Sequence, residues 1–340
     1  MNHQFPDHLV KSVERRVTGR ACSNVALAKY WGKRDVSLNL PYTGSLSVTL
    51  DGLETTATVE IESGKTSRTI LNGVLTSGPE ADRIRGFLDL VRLAAGSRSV
   101  ASAELASNFP VAAGIASSAS TFAALAVAAA AAYGVSLTAT QLSILARRGS
   151  GSAARSIFGG YTEWLPGEAS DGTDSFAVRL AEPEHWRLGI AVVITNERPK
   201  SVGSRSGMAH AAKTSPFFPA WLTSHEDDLA DIRRGILDRN LTLVGETAEH
   251  NCLKMHAVSL TSRPALLYWK PATLAVIETV YELRAGGIEA YFTIDAGPQV
   301  KVLCANEQIG IVAAALANAP GVKRVLRSGP GNDAHVVEAA

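Results

Sequence analysis

Pro110-Val-Ala-Ala-Gly-Ile-Ala-Ser-Ser-Ala119 runs without a break into an alanine-rich stretch that ends at Ala132. The pattern predicts a Gly- and Ser-containing loop that opens directly into a helix. The first N–H groups of such a helix have no intrahelical partner, and the dipole there favours negative charge. Small residues let phosphate oxygens approach the backbone, and Ser117 and Ser118 add hydroxyls for a phosphate or a metal ion. This is chemistry for holding a nucleotide tail. It is not a Walker A loop, because no Gly-Lys-Ser/Thr follows, and it is not the dinucleotide GxGxxG. A buried helix with Ser as its cap accounts for the same residues, so the segment alone leaves both readings open.

Outward from this loop, residues 100–105 read as a strand leading into it. Residues 16–28, 46–50 and 55–61 are strand-like, the last two separated by a Gly turn. Residues 68–75 suggest a hairpin around Asn72-Gly73. Ile84, Phe87, Leu88 and Val91 share one face of a helix over 82–95, and Thr138 or Ser136 caps a helix that Gly149 ends. Beyond 188 the expected strands are 188–195, 290–294, 301–305 and 322–328. The expected helices there are 227–238, 241–257, 271–285 and 308–317. Strands come in groups rather than in βαβ alternation, which favours an α+β fold with mixed or antiparallel sheets.

A chain of 340 residues is long for one core, so two domains are expected, with the division placed before Leu188: residues 1–187 and 188–340. Hydrophobic residues make up 46% and charged residues 19%, as in a soluble globular protein. The net charge of +1 points neither to nucleic acid nor to an anionic membrane surface. Cys22, Cys252 and Cys304 are odd in number and widely spaced, which argues for reduced thiols in a cytoplasmic protein. Residues 1–20 have no apolar core and are not expected to be a signal peptide. The run 119–132 is too short and too rich in Ala to span a bilayer and reads as a buried helix.

Four clusters carry chemistry. Lys29-Tyr30-Trp31-Gly32-Lys33-Arg34 can surround an anionic group, or form a solvated basic turn anchored by Trp31. Ser150-Gly-Ser152-Ala-Ala-Arg155 sets hydroxyls and a planar guanidinium after a helix end, or is an ordinary turn with a surface Arg. Lys200-Ser-Val-Gly-Ser-Arg-Ser-Gly-Met208 reads as a flexible polar loop, either a binding loop or a mobile connector. Asp295, in Thr293-Ile-Asp-Ala-Gly-Pro298, ends an apolar strand, where a carboxylate is expensive to bury unless paired or functional; it also suits a turn. His250 and His256 lack partners at ligand spacing and read as helix-face residues. No metal-ligating set is expected.

In this order, the clusters resemble the diphosphomevalonate decarboxylases, a family of the GHMP kinase superfamily, over nearly the whole chain. Asn24-Val-Ala-Leu-Ala-Lys-Tyr-Trp-Gly-Lys33 resembles that family's opening signature, and Ser45-Leu-Ser-Val-Thr-Leu50 its next strand. Asn108-Phe-Pro-Val-Ala-Ala-Gly-Ile-Ala-Ser-Ser118 resembles the phosphate loop. Arg147-Arg-Gly-Ser-Gly-Ser-Ala-Ala-Arg-Ser156 and Tyr291-Phe-Thr-Ile-Asp-Ala-Gly-Pro298 match the later elements, the second being the catalytic Asp motif. Ser204-Arg-Ser-Gly-Met208 and Trp221-Leu222 are similar to the bacterial branch.

The resemblance implies a two-domain GHMP kinase fold, with a ribosomal-S5-like N-terminal domain and a ferredoxin-like C-terminal domain. It implies ATP- and Mg²⁺-dependent phosphorylation of the 3-hydroxyl of 5-diphosphomevalonate, then loss of phosphate and CO₂ to give isopentenyl diphosphate. Asp295, Lys29 and Arg155 would be catalytic. Tyr30, Lys33, Ser150, Ser152, Ser204, Arg205 and Met208 would bind the substrate. Pro110, Gly114, Ser117 and Ser118 would cradle the ATP phosphates. A cytoplasmic homodimer is implied as well, with no nucleic-acid or membrane partner. Two positions depart from the family pattern: Thr43 replaces an Asn, and Gln299 replaces the Asn after the Asp motif, both expected to alter nucleotide or substrate contacts. A 5-phosphomevalonate decarboxylase or a mevalonate 3-kinase of the same superfamily is the alternative enzyme. A non-catalytic nucleotide-binding protein is the alternative outside enzymes.

Overall fold

Residues 16–28 alternate between interior and surface over their first half, then are buried on both faces. That change marks where this strand leaves a one-sided sheet and enters the seam between two layers. The structure, a computed structural model, describes residues 16–62, 67–109, 117–197 and 202–337. Strands β1 (Arg16–Ala28), β2 (Lys33–Asp35), β3 (Leu40–Pro41) and β4 (Ser45–Glu62) come first. A hairpin follows, β5 (Thr69–Leu71) and β6 (Val74–Leu75), then α1 (Pro79–Ala94) and β7 (Val100–Ser107). Next are α2 (Ser117–Ala132), α3 (Ala139–Gly149), a 3-10 segment Gly151–Ile157, β8 (Tyr161–Trp164) and β9 (Ala177–Ala181). The second half holds β10 (Leu188–Ile194), α4 (Ser204–Thr214), α5 (Phe218–Leu237), α6 (Leu241–Leu260) and α7 (Pro271–Ala285). It continues with β11 (Ala290–Ile294), β12 (Val300–Ala305), α8 (Ile309–Ala317), β13 (Arg324–Ser328) and β14 (His335–Val337).

Among the described residues the first sheet has eight strands, in the order β14-β1-β4-β7-β5-β6, with β8 also on β4 and β9 on β8. The second has four, in the order β11-β12-β10-β13, all antiparallel. The architecture is α+β in two units, and β14 returns from the second half to pair with β1.

Each unit has its own core. In the first, α2 lies on β1 and β4 with Ala on nearly every face, together with Phe87, Leu88 and Val91 of α1. Alanine suits this position because the backbones are close: a Cβ on Gly19 would meet the Ala124 carbonyl at 2.5 Å. In the second, α7 and α8 cover the outer face of the four-stranded sheet. A third core is shared. Val25, Leu27, Leu46 and Val48 of the first sheet pack with Ile190, Val192 and Leu303 of the second, and with Leu229, Ile232 and Ile236 of α5.

Three expectations are corrected. Residues 46–50 and 55–61 are parts of one strand, β4. Gly52 has φ 72°, and the register with β1 slips between Cys22 and Asn24, so the strand bends instead of ending. One half of β4 then pairs with β8 and the other with β7. The polar segment before Met208 is helical from Ser204 onward rather than a loop. Helix α5 begins at Phe218, well before residue 227, with Pro219 in its first turn, where a missing N–H costs nothing.

Candidate active site

A cleft of about 350 Å³ opens where the two units meet. Its lining comes from the end of β1, α1, the start of α2, the turn after α3, the start of α4, α6, and the turn after β11. Lys29, Tyr30, Lys33, Ser117, Ser118, Ser150, Ser152, Arg155, Ser204, Arg205, Met208 and Asp295 all stand on it. Pro110 and Gly114 lie outside the described residues, as do Lys200 and Ser201.

Asp295 follows the last residue of β11 and is gripped at both oxygens. Lys29 Nζ donates to Oδ1 and Lys301 Nζ to Oδ2, each at 2.8 Å. Both lysine side chains are almost wholly buried, while the carboxylate keeps 22% exposure on the cleft side. Burial pushes the carboxyl pKa up, but the two ammoniums outweigh it and hold the group well below the usual carboxylate range. Lys301 is absent from the residues that the sequence singled out. Its one signal is a lysine inside the apolar strand Val-Lys-Val-Leu-Cys-Ala.

Arg155 sits in the 3-10 segment and is fully buried. Its Nη1 donates to Ser45 Oγ at 2.5 Å and its Nη2 to Asn24 Oδ1 at 3.1 Å. Asn24 is itself fixed, donating to Ser156 Oγ at 2.7 Å and to the Ser152 carbonyl at 3.1 Å. Among the described residues, Nε of Arg155 and the hydroxyl of Tyr30 are buried without a hydrogen-bond partner, an expensive state that a bound polar ligand relieves. Burial lowers the Arg155 pKa to about 10 and pushes the Tyr30 phenol up; at neutral pH the first stays charged and the second neutral.

A second cationic group lies at the other end of the cleft. Lys33 Nζ donates to Asn39 Oδ1 at 2.6 Å. Arg83 donates to the Gly149 carbonyl through Nε and Nη2, at 3.1 and 2.7 Å, and Arg205 reaches the same oxygen at 3.3 Å. Burial, then Arg205 and Arg83, brings Lys33 down to about 7. Arg83 was not foreseen: it borders the apolar face of α1, where an arginine reads as solvated. It stacks over Phe122 at 4.4 Å. Gly149 has no room for a side chain, since a Cβ would meet Phe122 at 2.0 Å.

Behind the first turn, Asn251 of α6 ties the two units together. Its Oδ1 accepts from the Lys29 N–H at 2.7 Å, and its Nδ2 donates to Asp228 at 2.7 Å and to His225 Nδ1 at 3.2 Å. His225 Nε2 donates to the Gly44 carbonyl at 2.9 Å, which matches a neutral ring, and burial lowers its pKa. Gly32, at φ 109°, turns the chain beneath Phe218, where a Cβ would stand 2.7 Å from the ring.

Some expected contacts are not made. Arg34 turns away and donates to the carbonyls of Pro166, Gly167 and Ala169, so it staples a loop instead of meeting an anion. Gln299 is buried on the other side of the Asp turn. Its Oε1 accepts from the Thr195 N–H at 2.6 Å and its Nε2 donates to the Asn196 carbonyl, so it fastens β10 rather than facing the cleft. His250 and His256 both lie on α6; His256 is buried, with Nε2 3.2 Å from the Ile294 carbonyl.

The start of α2 fits a polyphosphate. Its first turn carries no acidic side chain, Ser117 and Ser118 reach the cleft, and Ser118 Oγ meets Ser150 Oγ at 3.1 Å. Among the described residues no three His, Cys, Asp or Glu side chains are grouped to hold a metal ion, and no helix is long and apolar enough to cross a membrane.

Two family models match the chain. The diphosphomevalonate decarboxylase-like N-terminal domain covers residues 21–177, and the mevalonate 5-diphosphate decarboxylase C-terminal domain covers 190–328. The diphosphomevalonate decarboxylase of Ganoderma lucidum is 35% identical over 320 residues, 86% of this chain and 79% of that protein. Mevalonate diphosphate decarboxylase from Staphylococcus aureus superposes with a TM-score of 0.90 at 37% identity, covering 97% of this chain and all of the other. MDDEF, solved in complex with MVAPP, AMPPCP and magnesium, superposes with a TM-score of 0.88 at 38% identity, covering 95% of this chain and 99% of the other. Two units meeting at a cleft, Asp295 between paired lysines and similarity along nearly the full length lead to one conclusion: the chain belongs to the diphosphomevalonate decarboxylase family.

Proposed function

We propose that this protein phosphorylates the tertiary 3-hydroxyl of 5-diphosphomevalonate with ATP and Mg²⁺, and decarboxylates the product to isopentenyl diphosphate. The observation that carries the reading is the Asp295 carboxylate, held ionised between Lys29 and Lys301 and turned toward a cleft that also receives Arg155 and the start of α2. A tertiary alcohol is a crowded nucleophile, so orientation counts as much as basicity. Asp295 is a weak base in this setting. It accepts the O–H hydrogen bond, aims the oxygen, and takes the proton as the new O–P bond makes that proton acidic. Lys29 offsets charge that develops on the transferring phosphoryl group.

Arg155 grips the C1 carboxylate with nitrogens that Ser45 and Asn24 hold in place. As the C3–O bond breaks and phosphate leaves, the electrons of the C1–C2 bond move into the new C2–C3 double bond and C1 departs as CO₂. Lys33, Arg205, Ser204 and Tyr30 bind the substrate diphosphate, and Ser150, Ser152 and Met208 shape the pocket beside it. Arg83 joins the diphosphate set, since it shares the Gly149 carbonyl with Arg205. Mg²⁺-ATP supplies the phosphoryl group with its charge partly neutralised. Ser117 and Ser118, with Pro110 and Gly114 of the loop that the sequence singles out, would hold its phosphates, and Mg²⁺ would offset their charge.

The boundary before Leu188, with β14 crossing back, divides the unit that binds ATP from the unit that carries Asp295. A cytoplasmic homodimer belongs to the same proposal; the resemblance supports both halves, and three free buried cysteines fit a reducing compartment. The test offers mevalonate, 5-phosphomevalonate and 5-diphosphomevalonate separately with ATP and Mg²⁺, and follows ADP and CO₂. Both products from the diphosphate alone are expected. Both from the monophosphate would reassign the substrate, and ADP without CO₂ would make the protein a kinase.

A further inference from the structure

The pattern of β12 does not call for a charge. The strand is Val-Lys-Val-Leu-Cys-Ala, lies between β10 and β11 inside its sheet, and is buried along nearly its whole length. Lys301 is itself fully buried, opposite Thr293 on one side and Val192 on the other. Desolvating an ammonium is costly, and a buried ion pair typically does no better than break even against an apolar residue. Lys29 already neutralises Asp295, and the two ammoniums repel one another across it. Stability alone therefore gives a poor account of the second lysine. Its effect on the carboxylate is specific, however. An acid gripped at both oxygens has a fixed plane, and the edge it leaves open is the one on the cleft.

We propose that Lys301 is a positioning residue for phosphoryl transfer: by holding Oδ2 it fixes the plane of the Asp295 carboxylate and keeps the group ionised while the substrate hydroxyl is aimed. This rests on the function proposed above. The other groups that face Asp295 do not do this work. Arg155 approaches from the 3-10 segment and is clamped to Ser45 and Asn24. Cys252 of α6 is a thiol pushed up to about 11 by burial. His256 of α6 is brought down to about 3 by burial and stays neutral. Lys29 holds the opposite oxygen, Oδ1.

The experiment compares the full chain with Lys301→Met and Lys301→Gln. It reads melting temperature, KM for each substrate, kcat from about pH 3 to 9, and the ¹³C shift of the Asp295 carboxyl from about pH 2 upward, because the parent's carboxyl titrates below the usual carboxylate range. Lys301→Met is expected to lower kcat by about 100-fold with KM within about threefold. It should also raise the acid limb of kcat and the carboxyl midpoint by about one pH unit or more. Lys301→Gln keeps a donor without the charge, so it recovers part of kcat but leaves the acid limb displaced. If Lys301→Met does not fold, the shift in Lys301→Gln decides the matter. An active parent whose folded variants keep its acid limb and carboxyl midpoint would overturn the role of Lys301 alone. A parent that releases neither ADP nor CO₂ would overturn the functional reading and this proposal with it.

Discussion

Arg155 enters the cleft as a guanidinium already committed at two nitrogens, to Ser45 and Asn24. In the proposed role those bonds set the plane in which it would meet the substrate carboxylate, which a lysine's point charge cannot reproduce. Arg155→Lys is therefore expected to cut kcat by about 100-fold or more while the protein melts within a few degrees of the parent. Near-normal kinetics would remove the carboxylate role. Lys33 makes a different prediction. With its pKa brought to about 7 by burial, Arg205 and Arg83, it is mostly neutral in the free protein at pH 8. A diphosphate beside it restores the charge. Calorimetry at about pH 8 in buffers of differing ionisation enthalpy should show binding of 5-diphosphomevalonate taking up close to one proton. The uptake should vanish in Lys33→Met, and its absence from the parent would contradict the assignment. Residues in contiguous clusters, such as Lys29 to Lys33 or Ser150 to Arg155, were legible because several polar groups interrupt a local pattern together. Lys301 and Arg83 were not, since each is a single charge beside apolar residues, and only tertiary packing shows that it faces inward.

At the scale of elements, the turn after α3 forms part of the floor of the cleft. Thr138 and Gln141 close a capping box at the start of α3, a signal fully present in the sequence. Its end depends on space instead: Gly149 lies against Phe122, and its carbonyl is the acceptor that Arg83 and Arg205 share. Gly149→Ala must push Phe122 aside, an overpacking that costs about 1–3 kcal/mol. The expected outcome is a lower melting temperature with KM for 5-diphosphomevalonate raised more than KM for ATP. Equal KM values in parent and variant would show that this floor does not position the cationic group. Helix α4 was hidden by its composition, because Ser and Gly have low intrinsic helix preference and Ser competes for backbone hydrogen bonds. It forms because Met208 and Ala211 pack into a cluster with Trp31, Trp221 and Met255, a tertiary contact that overrides propensity. The bend in β4 was read as a turn for a related reason: Gly52 marks it, but only pairing with β1, β7 and β8 keeps the strand continuous.

At the scale of the whole molecule, the proposed function depends on bringing Lys29 and Asp295 together, 266 residues apart in sequence. The shared core of Val25, Leu46, Ile190 and Ile232 sets the layers, and Asn251 locks the Lys29 backbone to α6 across the seam. Chain length and grouped strands together were enough to foresee two α+β units. The return of β14 to the first sheet was not foreseen, because three exposed or half-exposed residues carry no strong pattern. The central claim is that one carboxylate, held across this seam, serves phosphorylation and therefore the decarboxylation that follows it. The most direct measurement is the yield of ADP and of CO₂ from 5-diphosphomevalonate, in the parent and in Asp295→Asn. The account predicts equal yields in the parent. It predicts that both fall together by about a thousandfold or more in the variant, which still binds the substrate but melts lower because two buried ammoniums have lost their counter-charge. Turnover within about tenfold of the parent, or ADP formed without CO₂, would contradict it.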